Sequence, residues 1–142
     1  MNPPAVVDTN VVVSALISGQ ADSPPCRILD AMLGGGFPFL LSIDLMHEYR
    51  TVLLRPKIKK LHGLTEQEVD QILTIITTNG MIREPLAAPA RKANPGDQHI
   101  WNLVEHSVGT VLITGGMPLK RSRPLHNIVL SPQEFVEQFL RK

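Results

Sequence analysis

Short apolar segments alternate with helix-like segments along this chain, and the alternation limits the folds that it can adopt. The strand candidates are residues 5–7, 37–41, 81–83, 110–114 and 128–130. Strands that alternate with helices are typical of a mainly parallel sheet covered by helices on both faces. We therefore predict an α/β fold, a three-layer sandwich with four to five strands, in a single domain over residues 1–142.

Capping residues mark the predicted helices. Thr65 and Glu68 form a capping box, as do Ser131 and Glu134, and each box satisfies free N–H groups of a first helical turn. Residues 11–17 are ambiguous because their valines favour a strand, but the polar residues before them favour a helix, which we choose. The predicted helices cover residues 11–17, 24–33, 42–55, 66–79 and 97–107, with a terminal helix from residue 132.

Composition excludes several classes of protein. The chain has 14 Lys and Arg against 13 Asp and Glu, so its net charge of +1 gives no global argument for a nucleic-acid or membrane partner. The single Cys26 excludes an intramolecular disulfide framework. No apolar run approaches the length of a membrane span, and residues 1–4 lack the features of a signal peptide. We expect a soluble protein of the reducing cytoplasm, with no membrane partner.

Three carboxylates occupy similar places in the predicted order of elements. Asp8 ends the first strand, Glu48 lies one turn into the helix after the second, and Asp97 begins a later helix. Each also has a structural interpretation: Asp8 as a helix N-cap, Glu48 as a surface residue, and Asp97 as a partner of a helix dipole. Clustered carboxylates repel one another unless a cation neutralises them, and hard oxygen ligands favour Mg²⁺ or Mn²⁺. Such a site activates water for hydrolysis of a phosphodiester.

The motifs around these acids resemble those of the PIN-domain family, small metal-dependent ribonucleases that include bacterial toxins. Residues 6–16, Val-Val-Asp-Thr-Asn-Val-Val-Val-Ser-Ala-Leu, resemble the first motif of that family, and residues 44–49 resemble the segment with its second acid. Residues 94–97, followed by Ile100 and Leu103, resemble the third acidic segment, and residues 111–116 the strand that leads to the fourth. The resemblance covers nearly the whole chain.

The resemblance implies a function and a set of site residues. It implies a metal-dependent endoribonuclease that cleaves RNA, with Mg²⁺ or Mn²⁺ held by Asp8, Glu48 and Asp97. It also implies that Thr9, Asn10 and Thr114 orient these ligands or the phosphate. Members of the family are commonly toxins inhibited by a cognate antitoxin, and many form homodimers, so both partners are expectations here.

Two positions depart from the family pattern. Gly116 stands where the family commonly has an Asp after Thr-Gly, and Asn94 stands where an Asp is frequent. A less negative pocket should bind a divalent metal more weakly. The alternative hypothesis is therefore a catalytically impaired PIN-like module that binds RNA or protein. A phosphate-binding α/β domain is a weaker alternative, because the chain has no Gly-Lys-Ser/Thr motif.

Two basic clusters are candidate RNA contacts. One contains Lys57, Lys59, Lys60 and His62. The other, in the loop after Gly116, contains Lys120, Arg121, Arg123 and His126. We favour Lys120, Arg121 and Arg123, because they follow the presumed catalytic end of a strand, where cations could engage phosphates. Either cluster could instead be a solvated surface.

Overall fold

Helices and short strands alternate along the chain, as the sequence predicts. The computed structural model describes residues 3–84, 98–106, 109–115 and 128–140. The strands are β1 (Ala5–Val7), β2 (Leu40–Leu41), β3 (Met81–Ile82), β4 (Val111–Ile113) and β5 (Ile128–Leu130). The helices are α1 (Thr9–Ile17), α2 (Pro24–Leu33), α3 (Ile43–Leu53), α4 (Pro56–His62), α5 (Glu66–Asn79), α6 (Gln98–Val104) and α7 (Pro132–Phe135). A π-helical turn (Val136–Leu140) follows α7.

The strands are paired in parallel. Strand β4 lies between β1 and β5, and its pairing with β1 places Val7 beside Ile113. Strands β2 and β3 form a second parallel pair, and a single parallel bridge between Ala5 and Phe39 joins this pair to β1. The predicted mainly parallel sheet is confirmed.

Both faces of the central strands are covered. Successive side chains of a strand point to opposite faces, yet every side chain of β1 and β4 is buried. The largest fully buried side chains come from several elements around the sheet, and they include Trp101, Tyr49, Phe39 and Phe135. Burial on both faces is the mark of a parallel sheet between helical layers. The predicted α/β sandwich is therefore confirmed.

Most predicted boundaries agree with the structure, and one helix was missed. Helix α1 begins at Thr9, directly after Asp8, and both predicted capping boxes are formed. The predicted helix 42–55 ends as expected before Pro56, but that proline also begins α4, which the sequence analysis did not identify. A proline cannot continue a helix, because it lacks an N–H, but it is well suited to a first turn. No helix in the described ranges is long and apolar enough to cross a membrane.

Gly80 is required for space rather than for its backbone angles. It follows α5 with a φ of −88°, which any residue can adopt. A Cβ at this position would lie 2.5 Å from Leu41 Cδ1 and 2.7 Å from Phe39 Cε2. Leu41 and Phe39 are both fully buried, so neither side chain can move away freely.

We expect Gly80→Ala to destabilise the fold by about 1–3 kcal/mol, the usual cost of overpacking a core. Urea denaturation would measure the change. Gly19→Ala is the matched control, because a Cβ at Gly19 meets nothing within 4 Å. Equal stability of the two variants would contradict this interpretation.

Candidate active site

Asp8 and Thr114 lie side by side because β1 and β4 end together. Each residue directly follows its strand, and the Asp8 N–H donates to the Ile113 carbonyl at 2.9 Å. The Thr114 hydroxyl donates to Asp8 Oδ2 at 2.6 Å, and both side chains are buried. Asp8 occupies the N-cap position of α1, but its carboxylate makes no capping hydrogen bond. The N-cap hypothesis therefore does not account for this acid.

Glu48 lies on α3, where donors from two other elements hold its carboxylate. Glu48 Oε2 accepts a hydrogen bond from the Thr9 hydroxyl at the start of α1. Glu48 Oε1 accepts one from His99 Nε2 of α6, at 3.0 Å. With 29% of its side chain exposed, Glu48 keeps access to solvent. Residues that are far apart in sequence therefore fix both carboxylate oxygens.

The charged state of Glu48 is favoured by its neighbours. The hydrogen bond from His99 is the largest cause that lowers the pKa of this carboxyl below its ordinary value of 4.5. Partial burial opposes the change, while the Thr9 bond and the charges of His99 and Arg55 lower the pKa further. Glu48 is therefore ionised at neutral pH, as a metal ligand must be.

Tyr49 connects the helix of Glu48 to the strand of Asp8. Its ring is fully buried, and its hydroxyl donates to the Val7 carbonyl at 2.5 Å. Burial, followed by the negative charges of Asp8 and Glu48, raises the pKa of this phenol well above its ordinary value. Both carboxylates thus act electrostatically on the same buried hydroxyl, and Tyr49 remains a neutral donor.

The structure brings together four of the residues implied by the family resemblance. Asp8, Thr9, Glu48 and Thr114 lie at the same end of the sheet and are joined in two hydrogen-bonded pairs. Asn10 lies in the first turn of α1 and is exposed. The remaining predicted site residues fall outside the described residues, as does Gly116; they are Asp97, Lys120, Arg121 and Arg123.

Local sequence patterns do not reveal the contact of His99 with Glu48 or the role of Tyr49. His99 lies in the first turn of α6 beside the buried Ile100, and nothing in the local pattern distinguishes it from a surface residue. Its partner Glu48 is 51 residues away in the chain. The closeness of His99 to Asp97 in sequence is the one signal that could have drawn attention to it.

The oxygen atoms of the site are suitable ligands for a hard divalent cation. The carboxylates of Asp8 and Glu48 and the hydroxyls of Thr9 and Thr114 supply oxygen atoms, which Mg²⁺ and Mn²⁺ prefer. Among the residues that the structure describes, no three His, Cys, Asp or Glu side chains are placed to hold an ion together. Two carboxylates therefore form the described part of a candidate metal site.

One family model matches this chain. The family model described as PIN domain matches residues 4–116, which is most of the chain. The chain belongs to the PIN-domain family. PIN domains are generally nucleases and typically use divalent metals, so the family supports a hydrolase that acts on nucleic acid. Among curated proteins, no match to this PIN domain was found.

We expect His99→Ala to raise the pKa of the Glu48 carboxyl, because it removes the strongest interaction that favours the carboxylate. A ¹³C NMR titration of the Glu48 carboxyl in metal-free protein would measure the change. His47→Ala, on an exposed residue of the same helix, should leave the pKa of Glu48 unchanged. An unaltered pKa in His99→Ala would contradict the assignment.

The lowered pKa of Glu48 also affects the stability of the fold. A carboxyl whose pKa is lower in the folded state stabilises the fold above its unfolded pKa. This contribution is lost as the pH falls from about 4.5 through the folded pKa. In that window the wild type should lose more stability than His99→Ala.

Proposed function

We propose that this PIN domain is an Mg²⁺- or Mn²⁺-dependent endoribonuclease that hydrolyses RNA phosphodiester bonds. The observation that carries the proposal is the placement of Asp8 and Glu48 at one end of the sheet, each carboxylate held by hydroxyl or imidazole donors. Asp97 is proposed as the third ligand. It lies two residues before His99 in the sequence, and His99 contacts Glu48.

The protein side chains have distinct roles in this proposal. Asp8 and Glu48 would hold the cation, which when bound would supply an activated water and stabilise negative charge on the phosphoryl group. Thr114 orients Asp8, while Thr9 and His99 orient Glu48, so neither carboxylate has to reorganise when substrate binds. Tyr49 keeps α3 in place against β1. Asn10, exposed at the start of α1, is proposed to orient the phosphate.

Cleavage of labelled single-stranded RNA in Mn²⁺ tests the proposal. We expect activity that EDTA abolishes and that Asp8→Asn lowers by at least about a hundredfold, because loss of an outer-shell partner alone typically costs 10–100-fold. The asparagine retains an oxygen that can accept the Thr114 hydrogen bond, so the fold should survive, and circular dichroism would verify this. Asp30→Asn, which changes an exposed acid on α2, is the matched control.

Cleavage that is equally strong in Asp8→Asn would exclude this site as the source of activity. A folded wild type that cleaves none of several RNAs would instead support the second candidate function. That candidate is a catalytically impaired PIN domain that binds RNA or protein, and the observation in its favour is Gly116 in place of the usual fourth acid.

The identity of residue 116 gives a separate prediction. Gly116→Asp adds the carboxylate that the family pattern leads us to expect, so it should tighten Mn²⁺ binding, because the affinity rises with the number of charged ligands. Isothermal titration calorimetry would measure the change. Equal affinity in the variant and the wild type would show that the missing acid does not weaken the site.

The toxin role is a finer proposal that rests on the family resemblance. A cognate antitoxin would inhibit the nuclease by covering the carboxylates with a segment that carries Arg or Lys. Co-expression with the product of a small neighbouring reading frame would test this role. We expect that product to bind the PIN domain and to suppress cleavage by the wild type.

A further inference from the structure

Helix α4 carries a run of positive charge that the candidate site does not use. Lys57, Lys59 and Lys60 are exposed, and the exposed Arg55 precedes them at the N-cap. The helix is anchored from its other side by the half-buried Ile58. None of these cations forms an ion pair with any carboxylate of the described residues.

His62, at the end of α4, is held by two contacts with backbone groups. Its Nδ1 accepts a hydrogen bond from the Leu64 N–H at 2.9 Å. Its Nε2 lies 2.8 Å from the Leu53 carbonyl oxygen. These contacts tie His62 to the turn after α4 and to the end of α3. The exposed cations of this helix are the lysines, with Arg55 before them.

The three lysines line a shallow, open groove. Its volume is about 720 Å³, and none of its lining residues is acidic or aromatic. A second groove, between α3 and α5, contains Arg50, but Glu66 at 2.7 Å and Asp70 at 2.8 Å neutralise it. Unbalanced positive charge therefore distinguishes the α4 groove from the α3–α5 groove.

The α4 groove lies on a helix that contacts the helices of the candidate active site. Helix α4 packs against α1 and α3, the helices that carry Thr9 and Glu48. Arg55, the N-cap residue of α4, follows the end of α3 directly and precedes the lysines. The groove and the carboxylate site are therefore carried by neighbouring helices.

We propose that the α4 groove binds the phosphodiester backbone of the single-stranded RNA that the site cleaves. The choice of RNA rests on the proposed function. Lysines on a phosphate backbone give affinity and position without sequence selectivity, and their binding is sensitive to salt. With no aromatic ring in the lining, the groove contacts phosphates rather than stacking on bases.

Fluorescence anisotropy with a labelled oligouridylate tests the proposal, in EDTA so that binding is measured without cleavage. The variant is Lys59→Gln/Lys60→Gln. The control is Arg27→Gln/Arg50→Gln, which removes the same charge from residues outside the groove. A second control, Lys59→Arg/Lys60→Arg, keeps the charge in place.

We expect the lysine-to-glutamine variant to weaken binding on the order of tenfold at about 0.1 M salt. The slope of log Kd against log salt concentration should be smaller than that of the wild type by about 1.4, because each of the two lost phosphate contacts contributes about 0.7 to the slope for a single strand. Both control variants should bind within about twofold of the wild type. Equal binding of RNA by the lysine-to-glutamine variant and the wild type would overturn the proposal. Binding of an acidic peptide in the groove would not restore it.

Cleavage in Mn²⁺ separates this inference from the proposed function. If the wild type binds RNA through the lysines but cleaves none, the groove is confirmed and the nuclease proposal fails. If the wild type cleaves RNA and the lysine-to-glutamine variant binds and cleaves equally well, the nuclease proposal stands and the groove has no role in it.

Discussion

The parallel pairing of β1 with β4 is the constraint on which the candidate site depends. Parallel strands end at the same edge of a sheet, and the register that aligns Val7 with Ile113 places Asp8 next to Thr114. A carboxylate as buried as Asp8 is costly without partners, and the Thr114 hydroxyl is one that the fold supplies. A slip of one residue would turn the buried strand residues toward the opposite face. Core packing and site geometry therefore depend on the same register.

Tyr49 transmits this register to the second carboxylate. The Asp8 N–H bonds to β4, so the backbone of Val7 faces the other side, where a single bridge joins β1 to β2. There the Val7 carbonyl accepts the Tyr49 hydroxyl, which ties α3 to the strand of Asp8. A buried acceptor left without a donor costs roughly 1–3 kcal/mol, so this contact stabilises the fold. Because Glu48 is the chain neighbour of Tyr49, the same contact restricts the position of its carboxylate.

The sequence predicts the features that are determined by residues close together in the chain. The capping box of Thr65 depends on residues within one turn, and the strand that ends at Asp8 is a continuous apolar run. Helix α4 was missed because Pro56 was interpreted only as the end of the helix before it. The contact of His99 with Glu48 depends on the packing of α6 near α3, which no local pattern encodes. Sequence patterns can nominate a set of acidic residues. Tertiary contacts of this kind decide how those residues are arranged in space.

Charge is divided between two adjacent regions of this PIN domain. At the end of the sheet lie the carboxyl groups of Asp8 and Glu48, and the hydrogen bonds from His99 and Thr9 favour the ionised form of Glu48. Around α4, the lysines are positive and have no acidic partner among the described residues. The proposed nuclease would need both, because its carboxylates would have to attract a cation while RNA is an anion that the same carboxylates would repel. In these proposals, a cation-binding pocket that is separate from an anion-binding groove would allow a nearly neutral chain to perform both tasks.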